Sequence, residues 1–211
     1  MTEAVVTVVG CGNIGSRALQ ALAQLAQPAT IHAVDPALAA LARARERIAE
    51  LGSAARARIV YADSVRALPE IIDLALVATC ADTRRETVEA LLERARVRYL
   101  VLEKFLFQRA EDYAAVGARL AASGARCWVN LVRRAWPGYR ALRHQLGGER
   151  RVEMQAWGPD FRLASNAIHY VDIYAFLTGT HISGYEASGI DAEPMASRRT
   201  SDRDARIGRR R

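Results

Sequence analysis

The sequence predicts an α/β fold, a doubly wound parallel sheet followed by a partial α+β second domain. Three observations carry that prediction. From Ala4 to Asn130, short apolar runs rich in β-branched residues alternate with Ala/Leu-rich stretches of helical period, the pattern of a parallel sheet covered by helices. A glycine-rich turn joins the first apolar run directly to the first helical stretch. Beyond Asn130 the alternation stops, and two helical stretches around one alternating run replace it.

The elements follow in order. The first strand covers 4–9, the turn 10–15, and an Ala/Leu/Gln helix runs to about Gln27. A strand at 30–34, a helix at 38–51 and a short strand at 58–61 come next. The fourth strand is 73–78, and the helix 83–96 carries Val88, Leu91 and Leu92 at helical spacing. A strand at 99–103, a helix at 110–122 and a strand at 126–130 complete six strands. Trp136-Pro137-Gly138 opens a helix to about Leu146, with Pro near its first position and Gly147-Gly148 closing it. Residues 151–157 alternate like a strand, 164–177 read as a helix, and 182–188 as a further strand. The domains are therefore 1–130, 131–196 and a tail, 197–211, with almost nothing to bury and expected to be disordered.

Composition narrows the function classes. Of 211 residues, 51% are apolar and 25% charged, as in ordinary globular chains. Every apolar run is interrupted well short of a membrane span. The first residues lack a basic segment of the secretory type, and Cys11, Cys80 and Cys127 are too scattered for a zinc module or a disulfide framework. A cytoplasmic protein without a membrane partner is expected. The four histidines are equally dispersed, so no metal site is expected.

Charge is unevenly placed. The net +7 includes seven Arg against Asp202 and Asp204 in 198–211, a local +5 that leaves +2 for the rest. Nucleic-acid binding through this tail is disfavoured, because no aromatic residues are interleaved with the charge. The 30 basic residues are 29 Arg and one Lys, Lys104.

The turn Gly10-x-Gly12-x-x-Gly15 has a strand before it and a helix after it. The first glycine permits the tight turn, the second lets backbone approach a pyrophosphate, and the third lets helix and strand pack closely. The N–H groups of Gly12, Asn13 and Ile14 and the helix dipole then face the phosphates. Asp35 closes the second strand 20 residues after Gly15, where a carboxylate takes the adenosine ribose hydroxyls and repels a 2′-phosphate. A Rossmann-type fold binding NAD rather than NADP is the expectation. Cys11 reads as a small filler within the turn.

Lys104 stands at the carboxyl end of the fifth strand, where open parallel sheets bind their ligands. Arg is permanently charged, whereas Lys can share its proton when desolvated. A lone Lys among 29 Arg therefore marks a position where guanidinium does not serve, although a chance leftover has the same appearance. On the later helix, Ser165, Asn166, His169 and Asp172 fall on about one face. A His with a carboxylate one turn away suits proton acceptance, and equally suits an ordinary buried helical pair.

Taken together, the glycine turn, Val77-Ala78-Thr79-Cys80, Glu103-Lys104, Asn130 through Arg134 to Tyr139, and Asn166-Ala-Ile-His169-x-x-Asp172 resemble the glucose-fructose oxidoreductase / inositol dehydrogenase (Gfo/Idh/MocA) family. The resemblance covers residues 4 to about 199. It implies NAD(P)-dependent hydride transfer to or from a sugar or cyclic polyol, the small-molecule partner. It makes Lys104 and His169 catalytic: His169 accepts the hydroxyl proton, and Lys104 hydrogen-bonds the oxygen and stabilises its developing charge. Thr79 and Glu103 fall at cofactor-contacting positions, and Asn130, Arg134, Asn166 and Asp172 at substrate-contacting ones. The string from Gly158 to His169 is similar to a branch placed in surface-polysaccharide biosynthesis.

Three departures qualify what the family implies. Phe105 replaces the family's Pro after Glu-Lys, so a trans peptide is expected there. Ser165 replaces an Asp four residues before the His. The chain also ends within the family's second-domain sheet, as a C-terminally truncated product would, leaving an open edge that favours association between copies. The alternative to an active dehydrogenase is thus a dinucleotide-binding remnant or regulatory module without turnover.

Overall fold

The computed structural model describes residues 3–148, 151–157, 163–184 and 186. The chain forms two compact units, the first covering Met1–Asn130 and the second beginning at Leu131.

The first unit holds six parallel strands: β1 (Ala4–Val9), β2 (Ala29–Val34), β3 (Arg58–Ala62), β4 (Ile71–Val77), β5 (Arg96–Leu102) and β6 (Arg126–Val129). Their spatial order is β3-β2-β1-β4-β5-β6, so the chain reverses direction across the sheet between β1 and β4, the switch point of a doubly wound fold. Helices α1 (Asn13–Ala23), α2 (Leu38–Ala49), α3 (Arg84–Arg94) and α4 (Ala110–Ser123) make the crossovers.

Alternation along each strand divides the core between two faces. Val6, Val8, Ile31 and Ala33 pack with Leu19 of α1 and Leu41 and Ala44 of α2. Val9, Val34, Ile72, Val77, Leu100 and Leu102 pack with Val88 and Leu91 of α3 and Val116 of α4. Near-continuous apolar strands follow from burial on both faces.

Several boundaries differ from the sequence expectation. Helix α1 stops at Ala23, not near Gln27. Pro28 disfavours helical backbone at the preceding residue, and its carbonyl accepts the Ala4 N–H at the foot of β1. β4 and β5 begin earlier than expected, because Ile71 pairs with Arg96 and Ile72 with Val97. Ladder partners define a strand's start, and those partners are remote in sequence.

The second unit holds a 3-10 turn (Val132–Ala135), α5 (Pro137–Leu146) and α6 (Leu163–Thr178). The expected strand over 151–157 is not formed, which corrects that element, and the described residues of this unit contain no strand. Alternation supplies a face, but a strand needs a neighbour to satisfy its backbone groups. None stands beside this segment among the described residues, and its Val152 carbonyl accepts from the Tyr174 hydroxyl at 3.1 Å. Residues 182–184 are also without strand structure. The remainder of 182–188 apart from Glu186, the segment 158–162 and the tail 197–211 lie outside the described residues. Among the described residues, no helix is long and apolar enough to cross a membrane.

Candidate cofactor rim and second-unit helix site

Strand register sets the candidate residues of the first unit in a row. Val9 is level with Val34 on one side and Val77 on the other, Val77 with Leu102, and Leu102 with Val129. The next residue of each strand is therefore Asp35, Gly10, Ala78, Glu103 and Asn130, along one rim. The ladder continues one bond into that row: Gly10 N–H donates to Val34, Ala78 to Val9, Glu103 to Val77 and Asn130 to Leu102, at 2.7–3.0 Å.

At the switch point the glycine turn is sterically required. Gly10 has φ +90°, and a Cβ on it would stand 2.8 Å from the Ala78 carbonyl carbon and the Thr79 nitrogen. A Cβ on Gly15 would overlap the Gly10 carbonyl oxygen. Gly12 is different, with nothing within 4 Å of where its Cβ would be. It is the N-cap of α1 and supplies no side-chain cap, so the first-turn N–H groups lack the partner a capping side chain would give.

Asp35 locks this turn to β2. Its Oδ2 accepts the Cys11 N–H at 2.7 Å and its Oδ1 accepts the Ala37 N–H at 2.8 Å. A carboxylate has about four acceptor sites, so capacity for ribose hydroxyls is left. Cys11 is fully buried with its Sγ directed at the Val34 carbonyl, and burial together with the Asp35 charge pushes its thiol up to about 12. It is a protonated filler. Across the switch point, the Thr79 Oγ1 is buried without a hydrogen-bond partner.

These features fit a dinucleotide. Open space before Gly12 and uncapped helix N–H groups suit a pyrophosphate, Asp35 suits a ribose, and the Thr79 hydroxyl lacks the polar partner that a buried oxygen requires.

Glu103 is 7% exposed and its Oε1 accepts from the Asn130 side-chain amide, bracing the ends of β5 and β6. Lys104 follows, partly buried. The Lys104–Phe105 peptide is cis, correcting the trans expectation; the carbonyls of Phe105 and Leu106 both accept from one guanidinium, that of Arg84.

Arg84 is not singled out by any motif of the sequence. It opens α3, is 2% exposed, and also donates to the Thr79 carbonyl. Burial lowers its pKa from the ordinary value, and the nearby Glu103 carboxylate opposes that. One signal could have found it, since a cation in a helix's first turn opposes the helix dipole and needs another reason to be there.

In the second unit, α6 carries Ser165, Asn166, His169 and Asp172, all at least partly buried. Asp172 is joined to Arg134: both carboxylate oxygens accept from Arg134 Nε at 2.8 Å, and Oδ1 also accepts from Nη2. Two expected substrate contacts thus engage each other. Arg134 also lines an open pocket with Ala135, Arg140, Arg143 and Phe176, where the Arg143 guanidinium lies 4.6 Å from the Phe176 ring centre.

The Asp172 side chain is 4% exposed and that of Arg134 is 50% exposed. Arg134→Ala strands a buried carboxylate and is expected to cost about 2–3 kcal/mol, at or below the lower bound of the roughly 3–5 kcal/mol for a fully buried pair, because water reaches the guanidinium side. Denaturant unfolding measures it, and Arg134→Ala/Asp172→Asn should lose less than the sum of the singles. An additive double variant would show the pair to be energetically idle.

A family model described as an oxidoreductase family with an NAD-binding Rossmann fold, GFO_IDH_MocA, matches residues 5–131. No curated protein matches the chain. Among solved structures, the chain is similar to scyllo-inositol dehydrogenase from Lactobacillus casei with bound NAD(H) and scyllo-inositol (15% identity, TM-score 0.63, covering 84% of this chain and 57% of that one). It is also similar to the WlbA dehydrogenase from Thermus thermophilus in complex with NAD and UDP-GlcNAcA (20%, 0.58, 82% and 62%). A third likeness is to the transcriptional regulator Gal80p from Kluyveromyces lactis (18%, 0.63, 85% and 52%). At these identities the likeness is one of fold, and the chain spans between half and two thirds of each structure's length.

Proposed function

The chain belongs to the Gfo/Idh/MocA family of oxidoreductases with an NAD-binding Rossmann fold, and from that premise we propose that it transfers a hydride between NAD and a carbon bearing a hydroxyl on a sugar or cyclic polyol. The observation that carries this reading is the switch-point rim, with open space before Gly12, an unpartnered Thr79 hydroxyl and Asp35 anchored beside the turn. Gly10, Gly12, Asn13, Ile14, Gly15, Asp35, Thr79 and Glu103 form the cofactor side of the proposal. Bound NAD supplies the hydride acceptor.

Lys104 is the group that hydrogen-bonds the substrate oxygen and stabilises negative charge as it develops. In the second unit, His169 is the proton acceptor, the task that imidazole performs near neutral pH. Asn130, Arg134, Asn166 and Asp172 serve substrate hydroxyls or a carboxylate. The arginines beside Phe176 and the likeness to WlbA, whose structure holds UDP-GlcNAcA, support a nucleotide-linked sugar acid as substrate, and the string from Gly158 to His169 supports a place in surface-polysaccharide synthesis.

Titration of the purified chain with NADH and NADPH tests the cofactor side. NADH should bind at least about tenfold more tightly, equivalent to 1.4 kcal/mol, and Asp35→Ser should erase that preference. Preference for NADPH in the unaltered chain would refute the role given to Asp35. Turnover is then sought with cyclic polyols, hexoses and nucleotide-linked sugar acids. The likeness to the regulator Gal80p favours one other reading, a dinucleotide-binding module without turnover; NADH binding with no reduction of NAD by any of these substrates is its signature.

A further inference from the structure

We propose that Arg84 is a positioning residue for this site. Its buried guanidinium ties the turn after β4 to the loop after β5, and so sets the direction in which Lys104 leaves the sheet. The proposal rests on the role given to Lys104 above.

Three carbonyls from two loops converge on this one side chain. Nη2 holds Thr79, while Nη1 holds both Phe105 and Leu106, the latter at 2.8 Å. Thr79 lies two residues beyond the end of β4, and Phe105 follows Lys104 directly, so the staple spans neighbouring strand ends. Arg84 itself comes from a third element, the first turn of α3.

The chemistry is poorly suited to packing alone. Burying a cation is costly, and an apolar residue of similar volume commonly gives equal or greater stability. Among the described residues, no carboxylate forms an ion pair with Arg84. Carbonyl dipoles and the field of Glu103 compensate the charge instead. The Nε is also buried without a partner. What the guanidinium does that an apolar side chain cannot is orient carbonyls of two separate loops with one rigid fork. Lys is a point charge on a flexible stem and lacks that geometry.

The lone lysine makes this testable without turnover. Reductive methylation with ¹³C-formaldehyde labels the Lys104 amine and the N-terminal amine, which chemical shift separates. In the unaltered chain the methyl resonance of Lys104 should differ from its position in urea. Arg84→Met should move it toward the unfolded position while cooperative unfolding persists, and any turnover should fall on the order of 10²-fold, as for a misplaced catalytic group. Val88→Ala, a core truncation on the same helix, should lose stability yet leave the resonance in place.

Should Arg84→Met fail to fold, Arg84→Lys carries the test. It keeps the charge, loses the fork, and should also move the resonance. An unmoved resonance in either folded variant overturns the proposal, as does an equal displacement in Val88→Ala. If the chain proves to lack turnover altogether, the functional reading fails while the resonance still reports on Arg84.

Discussion

Gly15→Ala should abolish NADH binding and lower the melting temperature on the order of 10 °C, a loss of about 4 kcal/mol for a chain of this size. The added Cβ would overlap the Gly10 carbonyl oxygen, which is backbone and cannot swing aside as a side chain could. Gly10 has no freedom to yield, since it is held by its bond to Val34 and abuts Ala78 and Thr79. Helix α1 must therefore move off β1 or the turn must rearrange, and either change destroys the cradle. Gly12→Ala provides the contrast. Its Cβ enters open space at an extended backbone geometry, so the stability cost should be only that of Ala for Gly at an N-cap, about 0.5–1 kcal/mol. NADH affinity should nevertheless fall roughly 10- to 100-fold, because that space is where the proposal puts the pyrophosphate. Fluorescence titration and thermal unfolding of both variants check the pair. Undiminished NADH affinity in Gly12→Ala would remove the pyrophosphate from this turn.

Lys104→Met should lower turnover by about 10²–10³-fold, the usual effect of removing one donor to a developing oxyanion, with NADH affinity within a few-fold of the unaltered chain. Methionine keeps the apolar stem and deletes the amine, so the loss reads the amine alone. Lys104→Arg should not restore the rate, since a permanently charged planar group cannot share a proton or take the same place as an ammonium. Steady-state kinetics and NADH titration separate the outcomes. Full turnover in Lys104→Met would end the role assigned to this residue.

Much of the first unit is legible in the sequence because its signals are local. A strand buried on both faces must be apolar, a tight strand-to-helix turn must be glycine-rich, and a helix ahead of Pro28 must stop. The second unit is less legible. Alternation over 151–157 has the pattern of a strand, but strand formation depends on a neighbour that no local signal supplies. Arg134 and Asp172 stand 38 residues apart, and only folding makes them one ion pair.

The alternating α/β class, the glycine turn with its carboxylate at the end of the second strand, and the singular status of Lys104 are each carried by residue type at short spacing. The rest depends on long-range packing. Register drew Asp35, Gly10, Glu103 and Asn130 onto one rim, and it was long-range contact that buried Arg84 against carbonyls from two loops. Neither strand register nor the compensation of a buried charge is a property of any one segment. Both arise only where remote parts of the chain meet.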